Sequence, residues 1–203
     1  MNELTLADLY EGDFYHVCTE GLENAVIMKD DEDYKVARNY LALSAWKTKA
    51  IIVAFSLMSN HLHSLIGAKD RRQASEFIRY FKQVYSTYLR NKYGMSDALK
   101  GQPENIVMIS DIKYFRNCIA YIFRNPISAR ICVKPEEYNW SSYHSCLKPV
   151  PTSENARKIS SFFQLRRNPV AIPGPIHYND GELREIKECH SYERHYHRSV
   201  FPG

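Results

Sequence analysis

Two histidines and a later tyrosine–asparagine pair are the residues of this 203-residue chain whose types and spacing could do chemistry: His61 and His63 around Leu62, then Tyr121 and Asn125. In an extended strand, side chains two apart share a face, so His61 and His63 project together while Leu62 enters the opposite side. Two neutral imidazoles are half of a divalent metal site, and an octahedral Mg²⁺ or Mn²⁺ would leave positions for oxygen ligands. Tyr121 and Asn125 are four apart and fall on one face of a helix. With Asn125 lending an amide oxygen, such a cation could hold a phosphate beside the Tyr121 hydroxyl. The phenol would then attack phosphorus. One phosphodiester replaces another in that step, so its energy is stored and rejoining is possible. A neutral phenol, with a pKa of about 10, is a poor nucleophile, which is why a cation belongs in the scheme.

The elements that must position these residues can be read from periodicity. Phe14 to Thr19 is rich in aromatic and β-branched residues and reads as a strand ended by Glu20-Gly21. The cluster Asp30-Asp31-Glu32-Asp33 opens a helix through Trp46, with Ala37, Tyr40, Leu41 and Ser44 at helical spacing. Ala50 to Leu57 and His61 to Ile66 form a hairpin around Ser59-Asn60, its second arm carrying the histidines. From Arg71 to Tyr93 the period changes to 3.6: Ala74, Phe77, Ile78, Phe81, Tyr85 and Tyr88 make an apolar stripe, and Gly94 stops the helix. Arg79, Lys82, Ser86 and Arg90 form its other face, read either as a solvated surface or as a track for DNA phosphates. A connection around Gly101-Gln102-Pro103 leads to a short strand, Ile106 to Ile109. Ser110 or Asp111 then caps a last helix, which Pro126 should end soon after Asn125. Ile112, Phe115, Ile119 and Ile122 supply its core stripe, with Tyr114, Cys118, Tyr121 and Asn125 on an adjacent face.

The order β-α-β-β-α-β-α predicts an α+β fold: a ferredoxin-like plait, a four-stranded antiparallel sheet with helices packed on it, plus one added helix. Trp140-Ser141-Ser142-Tyr143 is expected to pack back on this domain, residues 1–147, and Pro149-Val150-Pro151 to link it to a C-terminal helical or irregular extension, 148–203. A second His-x-His, His195-Tyr196-His197, lies in a charged tail without strand pattern and reads as solvated.

Composition sets the class. With 44% hydrophobic and 25% charged residues the chain is ordinary for a globular protein. No long apolar run could span a membrane, and the acidic start, Met1 to Asp13, lacks a signal-peptide core, so the expectation is a cytoplasmic protein that meets no membrane. Five scattered cysteines form no paired metal motif and no closed disulfide framework. A net charge of +4 is only a mild bias towards polyanions.

Several stretches together resemble a known family: the single-tyrosine transposases of the His-hydrophobic-His (HUH) endonuclease superfamily, especially the REP-associated tyrosine transposases. They are Phe14-Tyr15-His16-Val17, Asp30-Asp31-Glu32-Asp33, Leu57-Met58-Ser59-Asn60-His61-Leu62-His63, Tyr121-Ile122-Phe123-Arg124-Asn125-Pro126 and Tyr138-Asn139-Trp140-Ser141-Ser142-Tyr143, in that order. The resemblance implies metal-dependent cutting and rejoining of single-stranded or hairpin DNA, through a 5′-phosphotyrosine at Tyr121. It places the metal, Mg²⁺ or Mn²⁺, on His61, His63 and Asn125, while Arg79, Lys82 and Arg90 are the expected DNA contacts. A monomer or a homodimer fits, with Tyr121 serving its own subunit's histidines or a partner's. Ser59 stands where the family usually has proline, and Leu99 to Asn105 is largely stripped of the family's arginines. That depletion keeps open an alternative: a domesticated, catalytically silent nucleic-acid-binding module of the same fold.

Overall fold

The structure is a computed structural model and describes residues 5–19, 26–95, 99 and 104–146. Four strands are present: β1 (Asp13–Thr19), β2 (Ile51–Leu57), β3 (Leu62–Ala68) and β4 (Glu104–Met108). They form one sheet in the order β2-β3-β1-β4, every neighbouring pair antiparallel. The helices are α1 (Asp31–Thr48), α2 (Arg71–Tyr93), α3 (Ile112–Ser128) and a short α4 (Tyr143–Cys146). This is the α+β plait expected, with the strand order its β-α-β-β-α-β core requires.

Alternation along the strands creates two layers. Tyr15 and Val17 of β1 and Leu62 and Ile66 of β3 face a core shared with Ala37 and Leu41 of α1 and with Phe77, Phe81 and Tyr85 of α2. Phe14 and Leu65 face the other way, into a core with Phe115, Ile119 and Ile122 of α3. All seven residues of β3 are buried because the strand is central and covered on both sides. The histidine strand is therefore fixed on three sides before any chemistry is considered.

Helix ends follow their caps. Asp30 and Asp33 form a reciprocal capping box at α1, Asp70 caps α2 through the Gln73 amide, and Gly94 closes α2 in the left-handed region at φ 67°. Asp33 does more than cap. Fully buried, it accepts from the Lys29 amide at 2.7 Å, Tyr88 Oη at 2.7 Å, Tyr93 Oη at 2.8 Å and Lys92 Nζ at 2.8 Å, which ties the start of α1 to the end of α2.

One expectation is met and another needs correction. α3 ends at Ser128, soon after Asn125, with Pro126 inside its last turn. So near the terminus the missing proline N–H removes only one bond, and the Ala129, Arg130 and Ile131 amides close the turn on the Asn125, Ile127 and Pro126 carbonyls. Asn125 is consequently held in helical geometry. On α2, by contrast, Lys82 is only 7% exposed, whereas Arg79 and Arg90 are exposed. The three do not make one solvent-facing stripe, because Lys82 falls on the buried side of α2, one turn from Ile78 and from Tyr85. Strand ends also shift slightly: β3 begins at Leu62, with His61 just before it, and β4 covers 104–108 rather than 106–109.

The segment after α3 returns to the free edge of β2. The Leu57 amide donates to the Trp140 carbonyl at 2.9 Å, the Ser142 amide to the Phe55 carbonyl at 3.0 Å, and the Phe55 amide to Ser142 Oγ at 2.9 Å. Tyr138, itself buried, donates its hydroxyl to the Leu57 carbonyl. An edge so covered cannot recruit another strand. Tyr138→Phe would deprive that buried carbonyl of its hydroxyl donor, and the expected cost is about 1–3 kcal/mol, read as a lower urea midpoint. An unchanged midpoint would mean that the backbone bonds alone hold the edge. The expected linker at Pro149-Val150-Pro151, the extension 148–203 and His195-Tyr196-His197 lie outside the described residues.

Candidate active site

β3 carries His63 on the face that also bears Leu65, the face covered by α3. His61 follows the same two-residue period from the turn before the strand, and its ring centroid is 4.8 Å from that of His63, at 80°. Asn60 fixes that ring: its side-chain Oδ1 lies 2.7 Å from His61 Nδ1. With Nδ1–H donating to this oxygen, Nε2 becomes the basic nitrogen of His61, the form a metal ligand takes.

α3 brings the second half. Asp111 caps it by accepting the Tyr114 amide at 2.8 Å. That bond, with help from Ser110, holds the Asp111 carboxyl below its ordinary value. Two turns into the helix, Tyr121 meets β3. Its Oη lies 3.5 Å from His63 Nε2, and the rings meet edge to face at 5.3 Å. One turn later the Asn125 side-chain amide donates to Tyr121 Oη at 3.4 Å. Both distances are at the long limit of hydrogen bonding, so the hydroxyl is directed but not locked. Tyr121 is half-buried and Asn125 is buried. The structure therefore brings His61, His63, Tyr121 and Asn125 to one place.

A fifth residue converges there that sequence spacing did not single out. His16 of β1 stacks on His63 with centroids 5.3 Å apart and planes 23° apart, and meets Tyr121 edge-on at 5.9 Å. Its strand pairs with β3, with His16 opposite Leu65 and Cys18 opposite His63. The signal was available in the alternation of Phe14 and His16 against Tyr15 and Val17. What was missing was the strand neighbour, since β1 and β3 are joined by pairing and not by adjacency in the chain.

Arg79, Lys82 and Arg90 are elsewhere. They belong to α2, on the opposite face of the sheet from α3, and Arg79 Nε lies 3.5 Å from Glu104 Oε1. They do not converge with the histidines.

Among the described residues, no group of three or more His, Cys, Asp or Glu side chains is gathered tightly enough to hold a metal ion alone. The donor set at hand is two imidazoles and one amide. It suits a hard cation only where water and a substrate phosphate complete the shell, which is the open arrangement such cations keep in phosphoryl chemistry. The residues fit on that condition.

The family model for IS200-like transposases matches residues 14–102. That span, less than half of the chain, is similar to this family. It holds His16, Asn60, His61 and His63, while Tyr121 and Asn125 follow it on α3. Two solved structures are similar to the chain. One is a REP-associated tyrosine transposase bound to a REP hairpin, 15% identical over 65% of this chain and 76% of that chain, with a TM-score of 0.49. The other, from Deinococcus radiodurans R1, is described as a transposase and is 17% identical over 55% of this chain and 88% of that chain, with a TM-score of 0.41. No curated protein matches the chain. Among the described residues, no helix is long and apolar enough to cross a membrane.

Proposed function

We propose that the chain cuts and rejoins single-stranded DNA, with Tyr121 as the nucleophile and hairpin-forming ends as the substrate. The observation that carries this reading is the approach of Tyr121 Oη to His63 Nε2, at 3.5 Å, beside the His61 ring. In the step, Tyr121 Oη bonds to phosphorus as its phenolic proton leaves. The bond from phosphorus to the 3′ oxygen breaks, and that oxygen takes up a proton and departs as a hydroxyl. A 5′-phosphotyrosine remains, and attack by a 3′ hydroxyl on it rejoins the strand. A divalent cation, Mg²⁺ or Mn²⁺, held by His61, His63 and Asn125 would supply charge neutralisation at the crowded phosphoryl oxygens.

The chain's own residues do the positioning. Asn125 directs the phenolic oxygen with its amide N–H, which keeps its carbonyl end for another partner. His16 backs the His63 ring and limits its rotation. For Arg79 and Arg90 the reading is contact with whatever part of a hairpin passes the far face of the sheet, and Lys82 would have to swing out of the core to join them.

The test is direct. The chain is incubated with single-stranded, hairpin-containing oligonucleotides and Mn²⁺ or Mg²⁺, then run on a denaturing gel. Wild type is expected to give a covalent adduct, and Tyr121→Phe none. No adduct across varied oligonucleotides, or equal yield from Tyr121→Phe, would sink the reading. If binding were then salt-sensitive yet indifferent to His61→Ala, the chain would be a silent nucleic-acid-binding module instead.

A further inference from the structure

α3 has a solvent face as well as a buried one. Its span, Ile112–Ser128, contains Lys113, Arg116 and Arg124 and no aspartate or glutamate. All three cations are exposed, while Phe115, Cys118, Ile119 and Ile122 point into the core. At about 100° per residue the three fall within an arc of about 80°, and Tyr121 borders that arc about 60° beyond Arg124. Along the axis, Lys113 and Arg124 are about 16 Å apart, a length that spans about five phosphates at the spacing of one stacked DNA strand. The cations of α2 lie on the other face of the sheet from Tyr121.

We propose that the solvent face of α3 is the track on which the DNA strand lies at Tyr121, with Lys113, Arg116 and Arg124 each meeting a phosphate. The inference rests on the strand-cleavage reading for Tyr121 and adds where the strand runs. Positive charge on the same helix as the nucleophile holds the backbone in register with the hydroxyl, because helix geometry fixes the offset between them. A single strand is the fitting partner, since a helix face presents one row of charge, to be matched by one row of phosphates.

The experiment measures binding of a labelled hairpin oligonucleotide by fluorescence anisotropy, in chelator, between about 50 and 200 mM salt. The proteins are wild type, the triple variant Lys113→Gln, Arg116→Gln, Arg124→Gln, and the pair Arg79→Gln, Arg90→Gln, all checked for equal melting temperature. For the triple variant the slope of log affinity against log salt is expected to fall by about 2, at about 0.7 per phosphate contact, with at least about tenfold weaker binding at the lower salt. The pair, on the far face of the sheet where only the hairpin passes, is expected to lower slope and affinity less than the triple variant does. Wild-type affinity and slope in the triple variant, loss confined to the pair, or no salt-dependent binding by wild type would each overturn the inference. Because chelator separates binding from metal-dependent cleavage, α3-dependent binding in chelator with no adduct in the Mn²⁺ or Mg²⁺ assay would sink the cleavage reading and leave the α3 track standing. Adduct formation with binding unchanged in the triple variant would do the reverse.

Discussion

Replacing Asp33 by alanine is expected to destabilise the domain by about 3–5 kcal/mol, measured as a fall in the unfolding free energy from urea titration. The carboxylate is fully buried and collects the Lys29 amide, two tyrosine hydroxyls and the Lys92 ammonium. Removing it leaves Lys92 its bonds to Asp30 and Glu32 and Tyr93 its bond to Asp30, but takes the acceptor from the Tyr88 hydroxyl. The three bonds that join α1 to α2 through this carboxylate are lost, together with a void where it stood. Asp33→Asn should rescue little, because an amide keeps the size but turns a donor towards donors. Acid provides an independent check. Burial alone would raise the Asp33 carboxyl, but the bonds from Lys92, Tyr88, Lys29 and Tyr93 outweigh it and hold the pKa down at about 2, against 3.8 for the free group. A depressed carboxylate contributes stability above its unfolded pKa and loses it as pH falls through the folded value. The contribution, about 2.5 kcal/mol by that difference, should thus be whole above about pH 4 and fade towards pH 2. Wild type should lose stability over that window more steeply than Asp33→Ala. Parallel acid profiles for the two would contradict the assignment.

Asp33 also marks a limit of what spacing can tell. The cluster Asp30-Asp31-Glu32-Asp33 reads correctly as a helix start, because capping is local and its partners are three residues away. Its second role depends on Tyr88, Tyr93 and Lys92, some sixty residues on, which α2 delivers only when the two helices pack side by side. The same division runs through the fold. The β2–β3 hairpin and the order of the elements were legible, since strand–turn–strand patterns are local and the apolar stripes of α2 and α3 are strong. The pair His61 and His63 was legible as two groups on one face for the same local reason. His16 was not, because only the pairing of β1 with β3 sets it against His63. Lys82 misled because helical spacing gives an angle but not the width of the buried stripe, and a long aliphatic stem can lie along apolar surface. Pro126 did not stop the helix at once, because its missing N–H and its ring act on the turn before it, while the Ala129, Arg130 and Ile131 amides still close the turn after it.

His61→Ala is expected to lower adduct formation by about 10³-fold while leaving the fold nearly intact. His61 is the cleaner of the two imidazoles to remove. His63 is 3% exposed and packed between His16 and Tyr121, so its loss would open a cavity and confuse stability with chemistry. His61 sits at the mouth of the hairpin, half-buried, touching His63 and Asn60. Loss of one of two imidazoles proposed to hold the cation forfeits several kcal/mol of transition-state charge stabilisation, and about 4 kcal/mol corresponds to about 10³ in rate. Binding of the oligonucleotide in chelator should not change, since phosphate contacts elsewhere carry it. Asn60→Ala supplies the graded control. It leaves both imidazoles but frees the His61 ring to rotate and to exchange tautomers, and loss of such an orienting partner typically costs about 10–100-fold. The expected order of adduct yield is wild type, then Asn60→Ala, then His61→Ala, and raising the Mn²⁺ concentration should restore the Asn60 variant more than the His61 variant. Equal yields from all three would remove the histidine pair from the reaction and leave Tyr121 acting without it.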